Sequence, residues 1–337
     1  MSQNKTSLLL KKIFSRSGIY SIIRRINPNP YIAILRYHAV VNEQENYYTA
    51  PGIALSPIQF EKHVNYFSQN YSIVTLNEVV DKLIKGENVQ KNSIVFTFDD
   101  GYADNFLAAQ LLEKYNKTGT FYITAEPIGR ESKFWVAELT YLILKTTKEK
   151  FNILVNEYEK EFFLSGRDSR WKAIRELIRF IKSNNKVLRE EIRKQLSDQI
   201  GNSTLTKEIE NLMLTWEQVN KMKDMGMTIA SHTLTHQNLP NADPKDASIE
   251  IYRSKQILAD KLEQEIRHFS YPNSGPYEYF NEQIREFVIN AGYDSSSTSL
   301  NGFVDLKSDR FALPRVRTVP NLEEIVHALE WERVLGR

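Results

Sequence analysis

The sequence contains no cysteine among its 337 residues, which excludes disulfide bonds, thiolate metal sites and cysteine nucleophiles. Any bound metal must therefore be held by histidine and carboxylate side chains, which suit zinc or a harder divalent ion. The chain also lacks a strong charge of either sign, since its formal net charge is +2. That balance gives no support for nucleic-acid binding, so no nucleic acid is expected as a partner.

Long apolar runs are missing too, most clearly in the N-terminal arm of residues 1–30. Its longest apolar runs are three residues, whereas about 20 are needed to cross a bilayer. Lysines interrupt the segment and no small-residue cleavage site follows. We therefore recognise no cleavable signal peptide and expect a cytoplasmic location. Residues 1–42 nevertheless hold no acidic residue and seven basic ones: Lys5, Lys11, Lys12, Arg16, Arg24, Arg25 and Arg36.

The basic arm also carries an apolar helical pattern. Isoleucines recur at helical spacing, at Ile19, Ile22, Ile23 and Ile26, and Leu8–Leu10 and Phe14 add apolar surface. Over residues 8–26 this pattern is typical of a basic amphipathic helix lying on an anionic membrane surface. The inner face of the membrane would be the partner in that case. A helix packed against the rest of the protein has the same pattern, so both interpretations stay open.

After residue 31 the sequence alternates between strand and helix patterns. Apolar strand runs at 31–37, 94–98, 119–124 and 227–232 are separated by helical stretches. Such alternation predicts an α/β fold with a parallel sheet or barrel over residues 31–337. The alternation is interrupted at about residues 127–215, where a long charged stretch predicts a helical insertion that covers or borders the functional site.

Two adjacent carboxylates follow the apolar strand in IVFTFDDGY. Asp99 and Asp100 raise each other's pKa unless a cation compensates, so the pair is a candidate metal or catalytic site. Neighbouring strand residues point to opposite faces, and both carboxylates can face one site only if the strand bends or ends there. Gly101 permits that bend. An ordinary Asp-Gly surface turn is the alternative.

Two of the six histidines lie in SHTLTH, after the strand MTIA. The four-residue spacing predicts that His232 and His236 share one face of a helical turn, close enough to share an ion. One aspartate and two histidines make three protein ligands and leave a coordination position for water, which is typical of catalytic metal sites.

Two further strand ends carry candidate residues. FSYPNSG ends a strand at Pro272 and continues into a loop, whose backbone N–H groups near Asn273 could face a developing oxyanion. LRYHAV ends a strand at His38, which is a candidate general acid. An ordinary turn and a buried structural histidine are the alternatives.

Together, TFDDGY, SHTLTH and a strand ending in YPNSG, in that order, resemble the polysaccharide deacetylase family, carbohydrate esterase family 4. The resemblance spans residues 31 to about 320 outside the insertion, and RYHAV is similar to an early element of poly-N-acetylglucosamine deacetylase-like members. It implies a distorted (β/α) barrel and a metal-dependent hydrolase that removes N-acetyl groups from an amino sugar. The glycan substrate would be a polysaccharide or lipid-linked.

The resemblance also assigns roles to individual residues. Asp100, His232 and His236 would bind a divalent metal, with zinc expected and cobalt, nickel or manganese as alternatives. Asp99 would be the general base that takes a proton from the attacking water. His38 in the early element would be the general acid, and His327 in a late helical pattern is the other candidate.

The sequence departs from the family pattern at two positions. The arginine that usually orients the base near the Pro element is missing beside Pro272, and Arg315 in LPRVRT is the candidate substitute. The aromatic residue expected after the proline is replaced by Asn273, and Trp135 is a candidate to line the sugar subsite. An amidohydrolase or deformylase acting on a non-sugar amide, and a non-catalytic carbohydrate-binding protein, are therefore retained as alternative functions.

Overall fold

A parallel sheet of eight strands forms the centre of the protein. A computed structural model of the chain describes residues 17–130, 132–275 and 278–334. Its strands are β1 (Ala33–Tyr37), β2 (Ala39–Val40), β3 (Ala54–Leu55), β4 (Ser72–Ile73), β5 (Ser93–Phe98), β6 (Thr120–Ile123), β7 (Lys150–Val155), β8 (Tyr158–Phe163), β9 (Thr228–Ser231), β10 (His268–Ser270), β11 (Ser295–Ser297) and β12 (Val316–Arg317).

The large sheet follows the order β11-β10-β9-β6-β5-β1-β12, and β4 also pairs with β5. All six residues of β5 are buried, as expected for a parallel strand covered on both faces. The sheet curls, and Ser297 of β11 forms an isolated parallel bridge with Leu313, which lies three residues before β12. The result is a half-barrel, which confirms the predicted α/β class and the distorted (β/α) barrel.

Helices cover the outside of this curled sheet. They are α1 (Ile19–Ile26), α2 (Pro57–Asn70), α3 (Leu76–Lys85), α4 (Asn105–Lys114), α5 (Trp135–Lys145), α6 (Arg167–Lys182), α7 (Lys186–Ile200), α8 (Ser203–Ile209), α9 (Trp216–Asp224), α10 (Pro244–Leu262), α11 (Glu282–Asn290) and α12 (Leu322–Val334). Several begin at side chains that accept a backbone N–H, such as Ser56 before α2 and Thr215 before α9, which satisfies an otherwise unpaired donor.

The segment predicted as a helical insertion contains α5 to α8 and, in addition, an antiparallel hairpin of β7 and β8. The helical character of the stretch agrees with the sequence pattern, and the hairpin is an element that the pattern did not indicate. Burial alternates along β7, where Phe151, Ile153 and Val155 are buried and the residues between them are exposed. The charged surroundings hide this two-residue period in the sequence.

Helix α1 packs against the protein through one face. The Tyr20 hydroxyl and His327 Nδ1 lie 2.7 Å apart, and Arg24 donates from Nη1 to Glu330 Oε1 at 2.7 Å. The opposite face leaves Ile22 59% and Ile26 80% exposed. One face of α1 is therefore packed against the protein and the other is exposed to solvent. The other residues of the predicted amphipathic segment, Leu8–Leu10 and Phe14, lie outside the described residues. Among the helices that the structure describes, none has the length and apolar character needed to span a bilayer.

Candidate metal centre and active-site cleft

The carboxyl ends of several parallel strands open into one cleft of about 570 Å³. Parallel strands deliver the residues that follow them to the same edge of a sheet. Asp99 and Asp100 follow β5, His232 and His236 follow β9, and His38 follows β1; all five line the cleft. The structure thus brings together the principal residues that the sequence singled out.

A sharp bend after β5 turns both carboxylates into the cleft. Asp100 has a φ of 81° and Gly101 a φ of 87°. This left-handed conformation is costly for most residues and easy for glycine. A Cβ on Gly101 would lie 3.2 Å from Ile123 Cγ2, so a larger residue would also press on β6. The bend permitted by Gly101 is confirmed.

The two histidines after β9 lie on an irregular loop, so the predicted helical turn was wrong. Thr233 has a φ of 67° and His236 a φ of 58°, and no helix is assigned between residues 232 and 236. The Thr233 Oγ1 accepts the backbone N–H of His236 at 2.9 Å. This hydrogen bond closes a tight loop that brings both imidazoles to one place without helical geometry.

Asp100, His232 and His236 form a buried cluster whose ligand atoms all lie within 4.8 Å of one another. The Nε2 atoms of His232 and His236 are 3.5 and 3.3 Å from Asp100 Oδ1. Ligand atoms at about 2.1 Å from a tetrahedral ion are about 3.4 Å apart, so these spacings suit one shared cation. They are long for direct hydrogen bonds.

The hydrogen bond at Nδ1 of His232, the ring nitrogen that does not face Asp100, also supports metal binding. His232 Nδ1 lies 2.8 Å from the carbonyl oxygen of Ser270, so Nδ1 carries the proton and Nε2 presents a lone pair to Asp100. Burial lowers the pKa of His236 to about 4 despite the opposing effect of Asp100. Neutral imidazoles and an ionised carboxylate are the states that bind a metal, and the donor set therefore fits a divalent ion.

Asp99 is held by Arg315. Arg315 donates from Nη1 to Asp99 Oδ1 at 2.6 Å and from Nη2 to Oδ2 at 2.8 Å. Arg315 itself is fully buried and donates from Nε to the carbonyl oxygen of Thr298 at 2.8 Å. Burial by itself raises the pKa of Asp99, but the charge of Arg315 and the hydrogen bonds that it donates outweigh burial and lower the pKa to about 2. Asp99 is therefore ionised at neutral pH.

The two candidate acids are placed differently. His38 lines the cleft, and its Nε2 lies 3.8 Å from Asp99 Oδ2. Burial lowers the pKa of His38 to about 4, although Asp100 and Asp99 act in the opposite direction. His327 instead contacts Tyr20 between α1 and α12 and is not among the residues that line the cleft. Of the two histidines, only His38 is within reach of Asp99.

The remaining predicted residues lie at different depths. Asn273 lines the cleft with a φ of 78°, and its carbonyl oxygen accepts the hydroxyl of Ser299 at 2.7 Å. Pro272 before it is buried. Trp135 does not line the cleft; it is 3% exposed and donates from Nε1 to the carbonyl oxygen of His236 at 3.3 Å. Trp135 thus stabilises the loop that carries His236, a candidate metal ligand, without lining the cleft itself.

Several cationic cleft residues were missed by the sequence reasoning. Arg36 and Arg317 line the cleft from β1 and β12, and Lys182 lines it from α6. Residues two apart along a strand lie on the same face. Arg36 precedes His38 by two residues and Arg317 follows Arg315 by two, so this period could have predicted both arginines. No comparable signal points to Lys182, since its position depends on how α6 packs.

The polysaccharide deacetylase model matches residues 86–296, which is more than half of the chain. The chain belongs to the polysaccharide deacetylase family. The match includes Asp99, Asp100, His232 and His236, whereas His38 and Arg315 lie outside it. The positions of these two residues beside the Asp99 carboxylate are therefore shown by the tertiary structure and not by the family match.

Comparison with individual members of this polysaccharide deacetylase family supports the fold. YxkH of Bacillus subtilis (strain 168) is 21% identical over 293 residues, which are 86% of this chain and 72% of that protein. The Streptococcus pyogenes deacetylase PplD in complex with acetate is 20% identical, covers 90% of this chain and 98% of its own, and has a TM-score of 0.57. IcaB from Ammonifex degensii is 17% identical with the same coverages and a TM-score of 0.57.

Proposed function

We propose that this deacetylase-family protein is a metal-dependent carbohydrate N-deacetylase. Its substrate would be an N-acetylated amino sugar in a polysaccharide or a lipid-linked glycan. The observation that carries the proposal is the single cleft in which Asp99, paired with Arg315, adjoins the cluster of Asp100, His232 and His236. The structural likeness to a deacetylase in complex with acetate and to IcaB supports the same reaction class.

Asp100, His232 and His236 would hold the metal, for which zinc is the first choice because two imidazoles and one carboxylate are ligands it favours. Cobalt, nickel or manganese could occupy the same donor set. A divalent ion there supplies a Lewis acid for the acetamide carbonyl and for water. The Ser270 carbonyl, by fixing the tautomer of His232, prepares the cluster for that ion.

Asp99 is proposed as the general base. Its carboxylate is ionised and oriented by two hydrogen bonds from Arg315, so it can accept a proton from the attacking water. Water adds to the acetamide carbonyl carbon, and the carbon–nitrogen bond then breaks to release acetate and the amine. The backbone near Asn273, at the cleft wall, is the proposed donor to the oxyanion.

His38 is proposed as the group that protonates the leaving amine. Because its pKa is about 4, it is neutral at pH 7 and must acquire a proton within the cleft. Asp99, whose Oδ2 lies 3.8 Å from His38 Nε2, is the nearest proton source after it has served as base. A small movement would let the proton pass from Asp99 to His38 and on to the nitrogen.

The test is acetate release from N-acetylglucosamine oligomers and lipid-linked acetamido sugars, by wild type and by Asp99→Asn, His38→Gln and His327→Gln. We expect Asp99→Asn and His38→Gln to lower kcat by about a hundredfold or more, with His327→Gln close to wild type. Metal content should be unchanged in His38→Gln and His327→Gln. Equal loss in His38→Gln and His327→Gln would contradict the assignment of the acid.

Two results would replace the proposal with an alternative. Hydrolysis of small non-sugar amides or formamides, with no acetate from any sugar, would assign the amidohydrolase or deformylase function. Glycan binding without hydrolysis, in protein that takes up no metal, would assign a carbohydrate-binding protein on the same fold.

The exposed face of α1 supports attachment to an anionic membrane surface on the cytoplasmic side. Tyr20 and Arg24 dock the helix, and Ile22 and Ile26 remain exposed. Flotation with phosphatidylglycerol-containing vesicles should recover wild type, and Ile22→Ser with Ile26→Ser should reduce recovery. Ile58→Ser on α2, where the isoleucine is 66% exposed, is the matched control. Equal recovery of all three proteins would contradict attachment through α1.

A further inference from the structure

Two arginines lie side by side in the wall of the cleft. Arg36 of β1 and Arg317 of β12 are register partners in a parallel strand pair, and both line the cleft. Like charges on directly paired strand positions repel each other and destabilise the sheet. Burial, followed by the charge of Arg315, lowers the pKa of Arg36 to about 10, and Arg317 contributes in the same direction.

Neither arginine forms an ion pair within the described residues. The neighbouring carboxylate, Asp99, already accepts two hydrogen bonds from Arg315. Arg36 Nε is buried and has no hydrogen-bond partner in the described part of the chain. The side chain of Arg317 donates from Nη2 only to the carbonyl oxygen of Gly52, at 3.3 Å. A buried N–H donor without an acceptor, such as Arg36 Nε, costs free energy, which an anionic ligand between Arg36 and the exposed Arg317 would remove.

A helix that lines the cleft is also basic. Helix α6 contributes Arg175, Arg179 and Lys182, which lie four and three residues apart and therefore on one face of the helix. None of the three has an ion pair among the described residues. Burial lowers the pKa of Lys182 to about 8, with Asp100 acting in the opposite direction, so this lysine lies near the metal-ligand cluster.

Charges within the cleft do not balance. The described lining contains five cationic side chains, Arg36, Arg175, Arg179, Lys182 and Arg317, and two carboxylates, Asp99 and Asp100. Both carboxylates are already engaged, one by Arg315 and the other by the two histidines. Three of these cations, Arg175, Arg179 and Arg317, are exposed to solvent. The five charges together would attract and orient an anionic substrate, and would give a neutral acetamido-sugar polymer no such attraction.

We propose that the substrate is an acetamido sugar bearing a phosphate or diphosphate, and that Arg36 and Arg317 bind its phosphoryl oxygens while α6 attracts it. The proposal rests on the deacetylase function proposed above and adds the chemical class of the substrate. A phosphoryl group fits better than one carboxylate because it presents several acceptor oxygens and more than one charge to two adjacent guanidinium forks.

The first measurement compares acetate release from UDP-N-acetylglucosamine, from neutral N-acetylglucosamine trimer and from a hyaluronan tetrasaccharide. Metal-loaded, full-length wild type should show a kcat/KM for the diphosphate at least about tenfold above that for the neutral trimer. Arg36→Gln and Arg317→Gln should each remove most of that preference, because each should lower kcat/KM for the diphosphate far more than kcat/KM for the neutral trimer. Arg253→Gln, an exposed arginine on α10 outside the cleft, should resemble wild type.

A second measurement does not require catalysis. Binding of UDP, which carries a diphosphate but no acetamide, is followed by calorimetry with wild type and the three variants. Binding should weaken by about tenfold in Arg36→Gln and in Arg317→Gln, and remain unchanged in Arg253→Gln. Loss of UDP binding in all three variants, or in none, would overturn the assignment of a phosphoryl-binding site to Arg36 and Arg317.

The two measurements separate the two proposals. Arginine-dependent UDP binding without acetate release from any sugar would sustain the anion site and overturn the deacetylase function. Acetate release that is equal from the neutral trimer and the diphosphate, and insensitive to both arginines, would sustain the deacetylase and overturn the anion site. A preference for the hyaluronan tetrasaccharide that depends on the arginines would overturn the phosphoryl assignment.

Discussion

Arg315 and Asp99 are 216 positions apart in the sequence and form a buried pair joined by two hydrogen bonds, of 2.6 and 2.8 Å. The side chain of Arg315 is fully covered and that of Asp99 is 4% exposed. A charge pair at this depth is stable only while both partners and the surrounding hydrogen bonds are present. The pair therefore links the stability of the fold to the ionisation state of Asp99, the proposed base.

Replacing Arg315 is expected to reduce both stability and activity. Arg315→Met leaves the Asp99 carboxylate buried without its partner, which should lower the free energy of unfolding by about 3–5 kcal/mol. Arg315→Lys keeps the charge but cannot donate two parallel hydrogen bonds to Asp99. It should therefore retain a larger fraction of the wild-type stability than of the wild-type activity. Denaturant unfolding and kcat/KM measure the two effects. Arg310→Met, at an arginine outside the cleft, is the control, and an equal effect there would contradict the prediction.

The same pair predicts an acid-dependent loss of stability. The folded pKa of Asp99, about 2, lies below its ordinary value of 3.8. Its contribution is therefore complete above about pH 4 and is lost as pH falls towards 2, with a size of about 2 kcal/mol. Unfolding in chelator at pH 2–6 should show a shallower pH dependence in Asp99→Asn than in wild type. Parallel curves for the two proteins would contradict this assignment.

Metal removal is expected to abolish acetate release and to lower Tm. Ligand binding to the folded state alone adds about 2.7 kcal/mol at a hundredfold excess over Kd, so adding zinc back should restore both. Elemental analysis should give one ion per chain in wild type and none in His236→Gln, while His327→Gln, outside the cleft, should keep its metal. Full metal content in His236→Gln would exclude that residue as a ligand.

Gly101→Ala tests the bend that orients the two carboxylates. An alanine at a φ of 87° costs about 1 kcal/mol or more, and its Cβ would also press on Ile123 of β6. We expect loss of metal affinity and of activity, together with reduced stability. Gly226→Ala is a matched control, because its φ is 80° and no atom lies within 4 Å of the added Cβ. It should lose a similar amount of stability and keep its activity.

Much of the candidate site is readable from the sequence because its residues follow strands. Asp99 and Asp100 end an apolar run, and His232 and His236 follow another, so the topology of a parallel sheet places them at one edge. Local spacing was less informative. The His232–His236 pair meets through a loop with positive φ values rather than a helical turn, and the hairpin of β7 and β8 was hidden in charged sequence.

The sequence by itself determined the fold class, which depends on periodicity, and the family motifs, which depend on spacing within a few residues. The choice of Asp100, His232 and His236 as metal-ligand candidates came from the resemblance that those motifs carry. Only the tertiary structure decided that Arg315 pairs with Asp99, that His38 rather than His327 reaches the cleft, and that Arg36 lies beside Arg317. The pairs Arg315–Asp99 and Arg36–Arg317 join segments more than 200 residues apart. They arise from closure of the curled sheet and the packing of helices on it, which no local pattern encodes.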